Sequence, residues 1–178
     1  MLTIKALSGS GISLGDGTTT VVAYPKKPAS GAVTLLAKPE ENPSNAVLSW
    51  PGEYDIGGVA LRGIGQQEGQ KVSFVLQMDD VRVALPSAPL EEWSQSDIER
   101  LGDVHVLVLP AENAKIAQAL IDEIDPRMLV LVPGGDGSMD ADVVKSAGAT
   151  GKAAVPEVKL KGAGSLPQEG REVVVLEA

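Results

Sequence analysis

The chain has 178 residues, of which 43% are hydrophobic and 22% are charged, an ordinary composition for one soluble domain of roughly 150 residues. Its net charge of −9 repels the phosphate backbone of nucleic acids, and no cluster of lysine or arginine offsets that repulsion. The chain has no cysteine and one histidine, His105, so disulfide bonds, thiolate metal sites and zinc centres with several imidazole ligands are excluded. We expect a single domain over residues 1–178 that has no nucleic acid partner.

The apolar runs are too short for a membrane protein. The longest of them, 104–110 and 128–133, fall far below the roughly 20 residues that span a bilayer. The N-terminal residues 1–4 begin a strand-like alternation and lack the basic and apolar segments of a signal peptide. We therefore expect a cytoplasmic protein without a membrane partner.

The first half of the chain predicts short strands, because apolar or alternating runs are separated by glycine, aspartate, asparagine and proline. The predicted strands are 3–7, 18–24, 32–37, 59–64, 73–78 and 81–85. Their spacing is typical of a meander, so we expect an antiparallel sheet up to about residue 85.

After residue 90 the pattern changes to alternating helices and strands. Ser94 or Ser96 is expected to cap a helix over 95–101 that ends at Gly102. Asn113 is expected to cap a second helix, which ends before Pro126. Buried strands are predicted at 104–110 and 128–132, a short helix at 140–147 and a last strand at 172–176. Two successive strand–helix units imply a sheet covered by helices.

One segment carries a resemblance to a known family. Residues 50–64, WPGEYDIGGVALRGI, resemble the PGEYEVxGVxxRGI segment of small bacterial metallo-β-lactamase-fold proteins. Shorter segments agree in order and spacing: LTIK at 2–5, TVV at 20–22, LGDV and LVLP within 101–110, and DPR at 125–127. The resemblance, clearest over residues 1–135, implies an α/β (α+β) fold of the metallo-β-lactamase type, an αββα sandwich reduced in size.

The resemblance also implies where the family's metal ligands would lie. That family binds metal through a HxHxDH loop, a bridging aspartate and further histidines. The corresponding positions here hold Lys38, Glu40, Asn42 and Pro43 in the loop, Ala88 at the bridging aspartate and Pro133 at the last histidine. No imidazole is left at any of them, so we expect no zinc, no cofactor and no catalytic residue. Lys38 would replace the metal's positive charge, with its ammonium group near Glu40 or Glu41.

We interpret the chain as a non-catalytic metallo-β-lactamase-fold protein, a pseudoenzyme that acts through protein–protein contacts or as a subunit of a homo-oligomer. One alternative is a metal-dependent hydrolase with a weak oxygen-ligand site at Glu40, Glu41 and Asp136. Another is a small-anion binding module in which Lys38 faces the emptied cleft.

Three further features have simple interpretations. Trp50 and Tyr54 are the candidate interaction residues, because aromatic side chains anchor many interfaces; the simpler interpretation is that they anchor their own turn at 50–54. His105 lies in an apolar strand with no proton-transfer partner nearby in sequence and is expected to be structural. The glycine-rich segments 8–11, 15–17 and 133–138 lack a phosphate-binding motif and are expected to be turns.

Overall fold

The structure, a computed structural model, describes all residues from 1 to 178. It contains thirteen strands, three α-helices and one short 3₁₀ helix at Ala163–Ser165. The other elements in chain order are β1 (Leu2–Ala6), β2 (Ile12–Gly15), β3 (Thr20–Ala23), β4 (Val33–Leu35), β5 (Val47–Leu48), β6 (Gly52–Ile56), β7 (Val59–Gln66), β8 (Lys71–Met78), β9 (Val81–Leu85), α1 (Gln95–Leu101), β10 (Val106–Pro110), α2 (Ala114–Ile124), β11 (Met128–Val132), α3 (Ala141–Ser146), β12 (Val158–Leu160) and β13 (Glu172–Val175).

The strands form two sheets. The six-stranded sheet has the order β12-β1-β2-β3-β4-β5, and the seven-stranded sheet has the order β13-β11-β10-β9-β8-β7-β6. In the first sheet β3, β4 and β5 pair in parallel, so the expectation of one antiparallel sheet up to residue 85 is wrong. Long loops at 24–32 and 36–46 return the chain to the same end of the sheet, and parallel pairing requires such connections.

Two apolar clusters hold the layers together. Strand alternation sends residues such as Leu61, Leu76 and Val108 into a cluster between the two sheets. Residues on the opposite face of the same strands, such as Ile64 and Leu107, contact a second cluster, which contains the buried residues of all three α-helices. All three helices therefore cover the outer face of the seven-stranded sheet.

No α-helix covers the outer face of the six-stranded sheet, and this is where the sandwich is reduced in size. Thr3, Lys5 and Ser13 alternate with the buried residues Ile4 and Leu14 and line the outer face of the six-stranded sheet. That face carries small and polar side chains in place of an apolar surface that would bind a helical layer. None of the α-helices has the length and apolar character that crossing a membrane requires.

The predicted helix boundaries are largely confirmed. The Ser94 hydroxyl accepts a hydrogen bond from the amide of Asp97 at 3.1 Å, and α1 ends at Gly102. The Asn113 side chain accepts one from the amide of Ile116 at 3.3 Å and caps α2. Capping contacts of this kind can be predicted from the sequence, because the donor and the acceptor lie three residues apart.

The interpretation of residues 50–54 as a turn is wrong, because residues 52–56 form β6, the edge strand of the seven-stranded sheet. Tyr54 lies opposite Leu61 of β7. Glu53 and Asp55 point away from the core and are exposed. Edge strands often carry charged residues on their outer side. For this reason the sequence of 52–56 lacks the apolar pattern that would predict a strand.

Candidate functional site

The ends of several strands meet at one edge of the structure. β9, β10 and β11 run parallel, so the loops that follow them, 86–94, 111–113 and 133–140, lie at the same edge of the sheet. The loop after β4 joins them, because the carbonyl oxygen of Ala37 accepts a hydrogen bond from the amide of Val72 at 2.8 Å. We call these four loops the loop edge. It is where the resemblance places the family's metal ligands.

Glu112 connects three of these loops. One oxygen of its carboxylate, Oε1, accepts a hydrogen bond from the amide of Leu90 at 2.7 Å, and Oε2 accepts one from the amide of Gly135 at 3.0 Å. A Cβ atom at Gly134 would lie 2.8 Å from Oε2, so glycine at that position lets the third loop approach the carboxylate. Both oxygens of Glu112 are therefore engaged by protein amides.

Lys71 supplies a positive charge inside the same edge. It is the first residue of β8, and its side chain is 8% exposed. The ammonium group donates a hydrogen bond to the carbonyl oxygen of Pro89 and lies 3.8 Å from Oε1 of Glu91. Burial lowers the pKa of Lys71, whereas the nearby carboxylates of Glu91 and Glu112 oppose that shift. The ammonium group thus joins the loop after β9 to the start of β8.

Neutral polar groups fill the space next to Lys71. The hydroxyl of Ser73 lies 3.2 Å from the Oε1 atom of Gln66 and 3.1 Å from the hydroxyl of Ser87, and it accepts a hydrogen bond from the amide of Ser87 at 2.9 Å. The Nε2 atom of Gln66 is buried without a partner. These are an amide and two hydroxyls, and none is an anionic or imidazole ligand of the kind that zinc prefers.

Tyr24 closes the side of the loop edge that faces the six-stranded sheet. Its hydroxyl donates a hydrogen bond to the carbonyl oxygen of Leu85 and accepts one from the amide of Phe74 at 3.1 Å. Burial raises the pKa of Tyr24 well above its ordinary value of 10.0. The phenol therefore stays neutral and connects the two sheets.

The expected ion pair of Lys38 with Glu40 or Glu41 is wrong. Lys38 is exposed and forms no ion pair within 4 Å, and both glutamates are exposed as well. The backbone of Glu40 explains this arrangement. Its amide donates to the hydroxyl of Ser49 at 3.0 Å and its carbonyl accepts from the indole nitrogen of Trp50 at 2.8 Å, which leaves the side chains in solvent. The buried cation of the loop edge is Lys71, which the sequence analysis did not identify.

The other predicted positions also remain apart. Asn42 and Pro43 are exposed, Ala88 is half-buried and Pro133 is buried. Asp136 is exposed, and hydrogen bonds from the amide and the hydroxyl of Ser138, at 2.9 and 2.8 Å, lower its pKa. No group of three or more histidine, aspartate or glutamate side chains that could hold a metal ion exists in the structure. The structure thus gives the oxygen-ligand alternative no site formed by Glu40, Glu41 and Asp136.

The loop edge does not fit the zinc centre that the resemblance implies. A zinc ion needs about four nitrogen, sulfur or carboxylate donors in tetrahedral geometry. Here Ala88 and Pro133 offer no side-chain donor, both oxygens of Glu112 accept from amides, and Lys71 places an ammonium group among the loops. Lys38 lines none of the five main cavities of the structure.

The aromatic residues and His105 take different roles. The side chain of Tyr54 packs against the core between the sheets and donates to the carbonyl of Trp50 at 2.7 Å, and burial raises its pKa. Trp50 itself is 48% exposed. The ring nitrogen Nδ1 of His105 accepts a hydrogen bond from the amide of Arg82 at 3.0 Å, which ties the imidazole to β9.

No family model and no curated protein matches this sequence. Solved structures do match in fold. A proposed zinc-dependent hydrolase of the metallo-β-lactamase superfamily from Thermotoga maritima is similar with a TM-score of 0.77 and 19% identity, over 99% of this chain and 98% of that chain. A proposed metal-dependent hydrolase from Parabacteroides distasonis has a TM-score of 0.64 and 12% identity, over 99% of this chain and 94% of that chain.

A third neighbour is the metallo-β-lactamase fold protein YhfI from Bacillus subtilis, with a TM-score of 0.61 and 9% identity, over 99% of this chain and 96% of that chain. Each comparison extends over nearly the whole of both chains. At these identities the likeness concerns the fold. The predicted fold class is confirmed: this chain has a metallo-β-lactamase-like fold.

Proposed function

We propose that this chain is a non-catalytic protein of the metallo-β-lactamase fold that acts through protein–protein contacts or as a subunit of a homo-oligomer. One observation carries the proposal. At the loop edge, the carboxylate of Glu112 and the ammonium group of Lys71 are bound to backbone groups of the surrounding loops. A fold by itself does not determine an activity, so the neighbours' proposed hydrolase function does not extend to this chain without a site.

The charges at the loop edge support the non-catalytic half of the proposal. A divalent cation would meet the ammonium group of Lys71 inside the same set of loops, and like charges repel strongly where water is excluded. The carboxylate of Glu112 already accepts hydrogen bonds from the amides of Leu90 and Gly135, which hold it in place between the loops. Turning it toward a metal would break the part-buried bond to Leu90, at a cost of about 1–3 kcal/mol.

Trp50 supports the contact half of the proposal. It is the one exposed large aromatic side chain, and Met1 is the other exposed large hydrophobic residue. The indole nitrogen is already bonded to Glu40, which fixes the ring beside the loop 38–45. A rigid, half-exposed indole loses little conformational entropy when a partner covers it, as in many interface anchors.

The catalytic half is tested with a β-lactam, an activated ester and a phosphodiester, each assayed with added Zn²⁺, Mn²⁺ or Fe²⁺. We expect no hydrolysis above the rate in buffer that contains the same metal and no protein. Metal-dependent turnover that is lost in the variant Glu40→Gln, Glu41→Gln, Asp136→Asn would contradict the proposal and support the hydrolase alternative. The Glu169→Gln variant serves as control, because Glu169 is exposed and distant in sequence from the loop edge.

The contact half is tested with Trp50→Ser against the wild type. A partner captured by the wild type and lost with Trp50→Ser, at equal unfolding temperatures, supports a contact at Trp50. Equal capture by both proteins shows that the contact surface lies elsewhere. Trp93→Ser is the matched control, since Trp93 is half-buried and packs against the helices.

A further inference from the structure

We propose that a groove beside α2 binds a small organic cation, an amine that carries an alkyl or aryl group. We call it the Trp93 groove, because the indole of Trp93 lines it. The groove lies between residues 92–93, which lead into α1, and one side of α2. The inference goes beyond the proposed function and does not rest on it, because it needs neither a metal nor a partner protein.

The groove has an apolar floor. Four of its seven lining residues are hydrophobic, namely Trp93, Ile116, Ala119 and Leu120. Leu120 is buried in the apolar cluster under the helices, and Trp93 and Ile116 are half-buried against that cluster. Part of the indole surface is therefore open to the groove. The volume of about 230 Å³ is below the roughly 300–1,000 Å³ of pockets for drug-sized ligands, so the groove suits a smaller molecule.

The spacing of residues along α2 determines the shape of the groove. Ile116 and Leu120 are four residues apart, on the side of α2 that contacts the core. Lys115, Ala119 and Glu123 form a second row, also at intervals of four residues. Because a helix rises about 1.5 Å per residue, this row extends over about 12 Å, with a base at one end and an acid at the other. The short side chain of Ala119 in its middle leaves the apolar floor accessible.

The carboxylates that line the groove have no ionic partner. Glu92 and Glu123 are exposed and belong to no ion pair. The neighbouring Asp122 differs, because its carboxylate accepts a hydrogen bond from the side chain of Gln118 at 2.8 Å. One ammonium group, that of Lys115, also lines the groove. Two carboxylates against one ammonium group give the groove a net negative charge.

An organic cation matches this combination of groups better than other ligands do. The excess of carboxylates disfavours an anion, as does the net charge of −9 of the whole chain. A divalent metal ion needs several oxygen ligands, and the structure has no group of three or more side chains that could hold one. The hydrocarbon part of an amine would cover the apolar floor. Its ammonium group would be attracted by the carboxylates and by the indole, which binds cations better than other aromatic rings.

The other main cavities lack this combination. Three of them have no hydrophobic lining residue. The fourth is lined by two arginines, Arg62 and Arg82, together with Glu53 and Asp55, so its charges balance. Of the five cavities, only the Trp93 groove is lined by a tryptophan. It is therefore the cavity in which an apolar floor, an indole and a net negative charge occur together.

Nuclear magnetic resonance titration at pH 7 tests the inference with three probes of similar size. They are the cation of 2-phenylethylamine, neutral 2-phenylethanol and the phenylacetate anion. The chain has two tryptophans, so the indole N–H signals of Trp50 and Trp93 report on two different surfaces, and Trp50→Phe assigns them. We expect the amine to shift the Trp93 signal saturably, to leave the Trp50 signal in place and to bind about threefold or more tightly than the alcohol. Phenylacetate should bind most weakly.

Neutral variants of the two carboxylates test the charge. Glu92→Gln combined with Glu123→Gln should raise the dissociation constant of the amine about threefold or more, because exposed ion pairs are individually weak. Binding of 2-phenylethanol should not change. Glu169→Gln combined with Glu177→Gln is the matched control. It removes the same charge at two exposed positions that line none of the five main cavities, and it should leave the constant of the amine unchanged.

Two further variants test the sign of the charge and the position of the ligand. Lys115→Gln removes the one cation of the groove and should tighten binding of the amine, whereas an anion site would be weakened by the same change. Ala119→Leu places a larger side chain in the middle of the groove and should weaken binding of the amine and of the alcohol alike. Both positions are exposed on α2, and unfolding temperatures show whether each variant keeps its fold.

Three results would overturn the inference. The first is a Trp93 signal that the amine does not shift saturably, and the second is equal binding of the three probes. The third is a dissociation constant of the amine that stays the same in the Glu92→Gln, Glu123→Gln variant. None of these results bears on catalysis, which the hydrolysis assays measure separately. Conversely, metal-dependent turnover in a protein that binds the amine as expected would overturn the proposed function and leave the inference standing.

Discussion

The carboxylate of Glu112 lies against the backbone of Gly135, with 3.0 Å between its Oε2 atom and the amide nitrogen. The same carboxylate holds the amide of Leu90 through its other oxygen. One side chain thus fixes the loops after β9 and β11 relative to the loop after β10. The resemblance places metal ligands at the loop edge. In this protein the side chain of Glu112 and the backbone amides of the loops hold that edge together.

Replacing Glu112 should destabilise the fold. Glu112→Ala leaves the part-buried amide of Leu90 without its acceptor, whereas water can replace the carboxylate at the exposed amide of Gly135. We therefore expect the free energy of unfolding to fall by about 1–3 kcal/mol. Glu112→Gln retains one carbonyl acceptor and should cost less. Urea denaturation followed by circular dichroism measures both. The exposed Glu123, also near the end of a helix that covers the sheet, provides the control, and Glu123→Ala should change stability by less than about 0.5 kcal/mol.

Gly134→Ala should be costly because of Glu112. The new Cβ atom would lie 2.8 Å from Oε2 of Glu112 and 3.2 Å from its Cβ atom, so the carboxylate must move and release the amides. We expect a loss of about 1–3 kcal/mol. In a double-mutant cycle the loss should shrink when Glu112 is already alanine. Gly164→Ala, which has open space around its added atom, is the control. An equal cost in both backgrounds would contradict the close approach.

Lys71 should give the stability a distinctive dependence on pH. Its pKa in the folded state lies below the ordinary value of 10.5, so between those two values the unfolded chain binds more protons than the folded one. The free energy of unfolding therefore rises with pH through that window. We expect the free energy of unfolding of the wild type, relative to that of Lys71→Met, to increase as the pH approaches 10.5.

Urea denaturation of the wild type and of Lys71→Met at several alkaline pH values measures this difference. Lys115→Met is the matched control, because Lys115 is exposed and belongs to no ion pair. The difference in free energy of unfolding between Lys115→Met and the wild type should not change over the same pH range. A constant difference for Lys71→Met as well would show that the ammonium group is not desolvated.

Asp136 should titrate below its ordinary value of 3.8, because the amide and the hydroxyl of Ser138 donate hydrogen bonds to its carboxylate. Its stabilising contribution is present above that value and is lost as the pH falls through the lowered pKa. Carbon-detected NMR titration measures the midpoint directly. Ser138→Ala should raise it, whereas Ser138→Thr, which keeps a hydroxyl, should leave it low. Equal midpoints in the two variants would contradict the role of the hydroxyl.

Much of the fold follows from local patterns, while the loop edge does not. The second helix could be predicted because Asn113 caps an amide three residues away and because its apolar residues recur on one face. The contacts of Glu112 and Lys71 join residues 18 to 23 positions apart in the chain. No local period encodes such pairs, and a single polar residue after a buried strand is the only sign of Glu112 in the sequence.

The choice of Lys38 as the cation of the site has a related cause. The resemblance aligns Lys38 with a ligand position, but alignment does not show which way a side chain points. In the structure the hydrogen bonds of Glu40 with Ser49 and Trp50 fix the loop so that Lys38 lies in solvent. Lys71 begins the mostly buried strand β8, and this position is the physical reason that its charge lies inside the protein.

Zinc content decides whether the loop edge holds a metal centre. The protein is purified from cells grown with added zinc, its metal is measured by elemental analysis, and its unfolding temperature is recorded with and without a chelator. We predict far less than one zinc ion per chain and an unfolding temperature that the chelator does not change, because no metal binding is coupled to folding. One or more zinc ions per chain, with an unfolding temperature that falls when the chelator removes them, would contradict the account.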